Sequence, residues 1–266
     1  MGNAVKVSWI GLGQMGLPTA VTIAAAGHEV RGYDVQPPLA DSALGIEIAA
    51  TMAEAVRDCD LLCIAVFSDD QVREVLTGPQ GVMGSLKPGS VIAVFTTGSI
   101  EAIQSMVRSA PKGISILDTC FSRKQSNIES GTLTLLIGGE EEAVERARPV
   151  LETFAAGIFH VGASGAGRAI KLVNNVLFAA HAQVATDALK LAEGLGLDRS
   201  STAAALMECS GASDVMANFV TIDPATMMDQ IERYMVKDVA AAIDAGEKAG
   251  VKLGPLQAAT EAYRSG

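Results

Sequence analysis

The stretch VKVSWIGLGQMGLPTAVTIAAAGHEVRGYD, residues 5–34, limits the fold more than any other part of the chain. A short run rich in β-branched and aromatic residues leads into Gly11, Gly13 and Gly16, spaced G-x-G-x-x-G, and Pro18 stands where a helix would start. A second run, EVRGYD, follows and ends on Asp34. In a strand, glycine loop, helix and strand arranged this way, the first glycine permits the tight turn and the second lets the backbone approach a pyrophosphate. The third lets helix and strand pack closely. The helix start adds unpaired N–H groups that favour an anion. Gly11, Leu12, Gly13, Gln14, Met15 and Gly16 are therefore the expected cofactor-binding loop. Asp34 is placed to accept from a ribose 2′-OH and to repel a 2′-phosphate, which favours NAD, while the nearby Arg31 keeps NADP open. The competing readings are a glycine-rich turn without a ligand and a surface acid that closes a strand.

From residue 1 to about 160 short β-branched runs alternate with amphipathic ones: LLCIAVF, SVIAVF, SILD and TLTLLIG follow the opening unit. Alternating β and α units argue for a parallel, doubly wound sheet. After GIFHVGASGAG the strands stop, and residues 166–193 carry a helical period that ends at Gly194 and Gly196. The rest also reads as helix. The expected organisation is α/β, with a Rossmann domain over residues 1–163 and an all-helical domain for substrate and dimerisation over residues 164–266. The segment DTCFSRKQSN, residues 118–127, reads as a turn between two strands.

Composition removes several function classes. The chain has 266 residues, 49% of them hydrophobic, a mean hydropathy of +0.31 and a formal charge of -10. It can bury a large core, and its acidity opposes nucleic acid or an anionic membrane surface as partner. No apolar run reaches spanning length and no secretory leader is evident. Cys59, Cys63, Cys120 and Cys209 show no CxxC spacing, so a reducing cytoplasm is the expected compartment. His28, His160 and His181 are too scattered for a metal site, and none is expected.

In GASGAGRAIKLVNNVLFAAH, Lys171, Asn174, Asn175 and Phe178 lie at offsets of three, four and seven and share one helix face. Burial of such a lysine would depress its pKa and make it competent as a general acid or base. A solvated lysine on an amphipathic helix is the alternative.

Taken together, GLGQMG, Asp34, SGTLTLLIGG, GAGRAIKLVNN and YMVKDVAAAIDAGEKAGV resemble the β-hydroxyacid dehydrogenase family, which includes 3-hydroxyisobutyrate dehydrogenases and tartronate semialdehyde reductases. The resemblance covers almost the whole chain. It implies an NAD(P)-dependent oxidoreductase that moves hydride between nicotinamide and a short β-hydroxy acid or its semialdehyde. It implies Lys171 as general acid/base, Asn175 as the residue that orients substrate with Asn174 beside it, and Lys237 as a cation reaching cofactor and substrate. Thr96 matches a threonine near the nicotinamide ribose, and Phe67 and Ser68 match the loop that supports the ring. A homodimer or homotetramer is expected.

The chain departs from the family at its substrate loop, usually D-x-P-V-S-G-G. Here Asp118-Thr119-Cys120-Phe121-Ser122-Arg123-Lys124 keeps the serine and loses the proline and both glycines. Arg123 and Lys124 are either donors to a sulfonate, phosphonate or second carboxylate on the substrate, or a solvated helix start. With Ser122 they complete the expected substrate contacts. The sulfolactaldehyde reductase branch is similar here, with an arginine at 123 and an asparagine at 127. Cys120 reads as a packed thiol. A 6-phosphogluconate-type dehydrogenase, which usually has histidine where Asn174 stands, and an imine reductase, which replaces the lysine, fit less well. A catalytically inactive dinucleotide-binding sensor or scaffold is the alternative from another class.

Overall fold

The computed structural model describes residues 4–36 and 45–263 and divides into two compact units, residues 1–171 and 172–266. The first is built on β1 (Lys6–Ile10), α1 (Gly16–Ala25), β2 (Glu29–Tyr33), β3 (Glu47–Ile48), α2 (Met52–Ala55), β4 (Leu61–Ile64) and α3 (Asp69–Thr77). It continues through β5 (Val91–Val94), α4 (Ile100–Ser109), β6 (Ser115–Ser122), α5 (Ser126–Glu129), β7 (Leu133–Gly138), α6 (Glu141–Leu151) and β8 (Ala155–Gly162). Among the described residues eight strands form one sheet in the order β3-β2-β1-β4-β5-β6-β7-β8. Strand order reverses between β1 and β4, and in open α/β sheets the ligand crevice lies at the carboxyl ends of the strands at such a switch point.

The central strands β4 and β5, LLCI and VIAV, are buried at every residue. That is what a parallel sheet covered on both faces requires, and it explains why these runs are continuously apolar. One face packs Trp9, Leu61, Cys63 and Ala93 with Ile23 of α1 and Val144 and Val150 of α6. The other packs Leu62, Ile64, Ile92 and Val94 with Val72 and Val75 of α3 and Ile103 and Met106 of α4.

Two sequence expectations need correction. The sheet is not wholly parallel: β6 and β7 pair antiparallel, from Asp118 opposite Gly138 to Ser122 opposite Thr134. The link between them, residues 123–132, holds only the single turn α5, too short for a crossover that would return a parallel strand. For the same reason residues 118–122 are strand, and the turn begins only at Arg123.

The second unit is helical among the described residues. The helix α7 (Ala166–Gly194) runs unbroken across the division between the units, followed by α8 (Arg199–Met207), α9 (Asp214–Phe219), α10 (Pro224–Lys248) and α11 (Pro255–Ala259). Asp198, Ser213 and Asp223 cap α8, α9 and α10 by accepting backbone N–H bonds from Ser201, Met216 and Thr226. Ala182, Leu189, Val215, Phe219 and Met227 form one core cluster, and Ala179, Met235, Val239 and Tyr263 a second. Among the described residues no helix is long and apolar enough to cross a membrane.

Candidate active site

The glycine loop leaves the end of β1 at the switch point. Gly11 has φ +97°, and a Cβ there would lie 2.4 Å from the Ala65 carbonyl oxygen. A Cβ on Gly16 would lie 1.8 Å from the Gly11 carbonyl oxygen and 2.7 Å from Trp9 Nε1. A Cβ on Gly13, in contrast, would meet no atom of the described residues within 4 Å beyond its chain neighbours. Two of the glycines are thus demanded by the protein's own packing, and the middle one leaves room for a ligand to approach the backbone. Among the described residues no side chain caps α1, which suits an anion at its N-terminus. These features fit a dinucleotide pyrophosphate.

Asp34 shapes the same loop. Its Oδ2 accepts from the Leu12 N–H at 2.7 Å and its Oδ1 from the Gln36 N–H at 2.9 Å. Each oxygen keeps a second lone pair for a ribose hydroxyl. Arg31, the residue that kept NADP open, is drawn to Glu47 at 2.9 Å and to the Arg57 carbonyl oxygen at 3.0 Å.

Past β4 comes the loop of Phe67 and Ser68. Ser68 Oγ accepts from the Gln71 N–H at 3.3 Å, and Gln71 Oε1 accepts from the Phe67 N–H at 2.8 Å. This reciprocal pair is close to a capping box and fixes the entry to α3, leaving the Phe67 ring exposed. Thr96 is buried, and its hydroxyl donates to the Val66 carbonyl oxygen at 2.8 Å and accepts from the Val66 N–H at 3.2 Å. It therefore ties the end of β5 to the loop after β4.

The substrate-loop candidates lie at the end of β6. Ser122 is half-buried, while Arg123 and Lys124 are exposed. Arg123 stands at φ +86°, a left-handed conformation that glycine adopts at no steric cost. Asn127 builds the turn: its Oδ1 accepts from the Lys124 N–H at 3.1 Å and its Nδ2 donates to Thr132 Oγ1 at 2.8 Å. Cys120 is fully buried, as a packed thiol should be.

Lys171 lies half-buried on α7, whose first turn is held by a buried carboxylate. Asp118 accepts from the N–H groups of Gly165 at 2.8 Å and Arg168 at 2.9 Å, which satisfies donors that every helix start leaves open. Burial pushes the Asp118 carboxyl above its ordinary range, against these two donors, which favour the charged form. Arg168, fully buried, donates from Nη1 to Asp69 Oδ1 and to the Ser99 carbonyl oxygen, both at 2.7 Å.

In the helical unit, Asn174 Nδ2 donates to Asn175 Oδ1 at 3.0 Å, and Asn175 Nδ2 donates to Asp238 Oδ2 at 2.5 Å. Lys237 Nζ lies 3.6 Å from the other oxygen of Asp238. Asn175 and Asp238 are both buried, so this carboxylate sets the orientation of the amide. Sequence reasoning missed Asp69, Arg168 and Asp238. The lone cation in the small-residue run GAGRAI was the available signal for Arg168; Asp69 and Asp238 carried none.

The NAD-binding domain of 6-phosphogluconate dehydrogenase matches as a family over residues 6–162. The family described as NAD-binding of NADP-dependent 3-hydroxyisobutyrate dehydrogenase matches residues 165–266. The 3-sulfolactaldehyde reductase of Escherichia coli (strain K12) is 32% identical over 96% of this chain and 87% of its own length. The 2-(hydroxymethyl)glutarate dehydrogenase of Eubacterium barkeri is 28% identical over 100% of this chain and 90% of its own. Among solved structures, 3-hydroxyisobutyrate dehydrogenase of Mycobacterium tuberculosis with L-serine superposes with a TM-score of 0.85 at 28% identity, covering 98% of this chain and 93% of that one.

Proposed function

Because the chain belongs to the β-hydroxyacid dehydrogenase family and is an NAD(P)-dependent oxidoreductase, we propose that Lys171 is the general acid/base for a short β-hydroxy acid or its semialdehyde. One observation carries this reading. The turn of α7 that precedes Lys171 is anchored through Asp118 to the middle of β6, level with the last residue of β5, and through Asp69 and Ser99 to the segments that follow β4 and β5, on the side of the sheet where the glycine loop also leaves β1.

The nicotinamide, when bound, supplies or accepts the hydride. Lys171 in its ammonium form donates a proton to the aldehyde oxygen in the reducing direction, and as the amine it takes the alcohol proton in oxidation. Residues 11–16 hold the pyrophosphate and Asp34 a ribose, with NAD favoured over NADP. Phe67, Ser68 and Thr96 support the nicotinamide end. Asn174 and Asn175 orient substrate, and Lys237 reaches the cofactor.

Ser122, Arg123 and Lys124 receive the acidic end of the substrate. A sulfonate, phosphonate or second carboxylate suits two adjacent cations better than one carboxylate does. The likeness to a 3-sulfolactaldehyde reductase supports this choice.

We further propose that residues 1–163 serve the cofactor and 164–266 the substrate and self-association. Val173, Leu177, Val184 and Leu191 form an exposed apolar stripe at helical spacing on α7, which supports a homodimer or homotetramer. Three buried thiols and an exposed one, without disulfides among the described residues, support a cytoplasmic site of action.

The test is oxidation of NADH and NADPH with malonate, methylmalonate, tartronate and succinate semialdehydes and with sulfolactaldehyde. Lys171→Ala should lower turnover by about 10²–10⁴-fold and leave NADH affinity unchanged. Normal turnover by that variant sinks the assignment. NADH binding without turnover on any substrate would favour a sensor.

A further inference from the structure

We propose that Arg168 is a positioning residue, clamping the turn that carries Lys171 to the loop that carries Phe67 and Ser68 so that the two keep one fixed spacing. The inference rests on the roles proposed above for Lys171 and for that loop.

The clamp has three parts. Arg168 Nη1 donates to Asp69 Oδ1 and to the Ser99 carbonyl oxygen at 2.7 Å each, and Asp69 Oδ2 accepts from the Ser99 N–H at 2.8 Å. Guanidinium, carboxylate and the backbone N–H and C=O of Ser99 thus close a ring of contacts that joins α7 to the segments after β4 and β5. Asp69 is the first residue of α3, directly after Phe67 and Ser68, so the arginine holds the residue next to the proposed ring support. Gly98 makes room, since a Cβ there would lie 2.2 Å from Asp69 Oδ1. At its other end Arg168 is held by its own N–H on Asp118. Residue 168 is therefore fixed through backbone and side chain together, and Lys171 follows three residues later on the same rigid helix, a rise of about 4.5 Å.

Filling space does not account for the residue type. A fully buried guanidinium loses its hydration, and here Nε and Nη2 find no partner among the described residues, so part of that loss is uncompensated. An apolar side chain of similar volume would fill the site without that cost. What only the arginine provides is a donor that reaches two separate loops from one helix.

Arg168→Gln, Arg168→Lys and Asp69→Asn are to be compared with wild type and Lys171→Ala in the full chain with NADH. Arg168→Gln should lower kcat by about 10- to 100-fold, the scale of a small misalignment at the reacting atoms. The KM for NADH should stay within about threefold, since the glycine loop and Asp34 are untouched. The solvent deuterium isotope effect on kcat should rise as the proton step slows. Arg168→Lys should recover part of kcat, and Asp69→Asn should show the same split between kcat and KM. If Arg168→Gln keeps wild-type kcat and isotope effect while Lys171→Ala is inactive, the clamp is overturned and the role of Lys171 stands. If Lys171→Ala also turns over, both fall together. Should Arg168→Gln be insoluble, Arg168→Lys decides. Lowered turnover per bound NADH supports the clamp, and wild-type turnover per bound NADH overturns it.

Discussion

The indole N–H of Trp9 donates to the carbonyl oxygen of Gly11 at 3.1 Å, so the one tryptophan of the chain fastens the first glycine of the G-x-G-x-x-G loop. Trp9 is fully buried and stacks on Phe95 with ring centroids 5.1 Å apart. Trp9→Phe keeps an aromatic ring in that stack and removes the donor. The change should cost about 1–3 kcal/mol of stability by leaving the Gly11 carbonyl without its partner. It should also weaken NADH binding, measured by titration calorimetry. An unaltered Kd would mean that the loop holds its shape without the indole. In the wild type, Trp9 fluorescence should respond to NAD titration.

Arg123 is strained where it stands. Its φ of +86° costs a side chain of order 1–3 kcal/mol, only partly offset by the greater backbone entropy that glycine loses on folding. Arg123→Gly should therefore raise stability by about 1 kcal/mol in urea unfolding followed by circular dichroism. The same variant should lower kcat/KM by about 10- to 100-fold for substrates with a sulfonate or second carboxylate, and little for a simple semialdehyde. Equal kcat/KM on all substrates would reduce Arg123 to a surface residue.

Asp238 accepts from Asn175 at 2.5 Å with both residues buried, and Lys237 lies beside the same carboxylate. Asp238→Ala removes the partner of the buried Asn175 Nδ2, at about 1–3 kcal/mol, and leaves the amide held only by Asn174 at its oxygen. The KM for the hydroxy acid should rise while that for NADH changes less, read from initial rates with each substrate varied in turn. A larger change in the NADH KM would point to Lys237, not Asn175, as the group that Asp238 serves.

The parts of this molecule that could be read from sequence were those whose meaning lies within a few residues. Gly11, Gly13, Gly16 and Asp34 occur inside one strand–helix–strand unit, and Lys171, Asn174 and Asn175 lie within about one turn of a helix. The relationships that remained hidden connect distant positions: Arg168 with Asp69, Asn175 with Asp238, and Gly165 with Asp118. No local pattern marks such pairs, because the tertiary fold brings them together, through the sheet for Asp69 and Asp118 and between the helices α7 and α10 for Asn175 and Asp238. The strand character of residues 118–122 was hidden in another way. Its partner, β7, lies later in sequence, and the polar letters of DTCFS suggest a turn until that pairing is known.

The left-handed arginine also bears on how the chain persists over generations. Every arginine codon lies a single base change from a glycine codon, so the relaxed version of this turn is always one mutation away. A position that folds less comfortably than its nearest genetic neighbour drifts toward that neighbour unless selection opposes the change. Residue 123 is thus a point at which heritable pressure can be observed directly: in a population relieved of its usual substrate, glycine should accumulate there before other turn positions change.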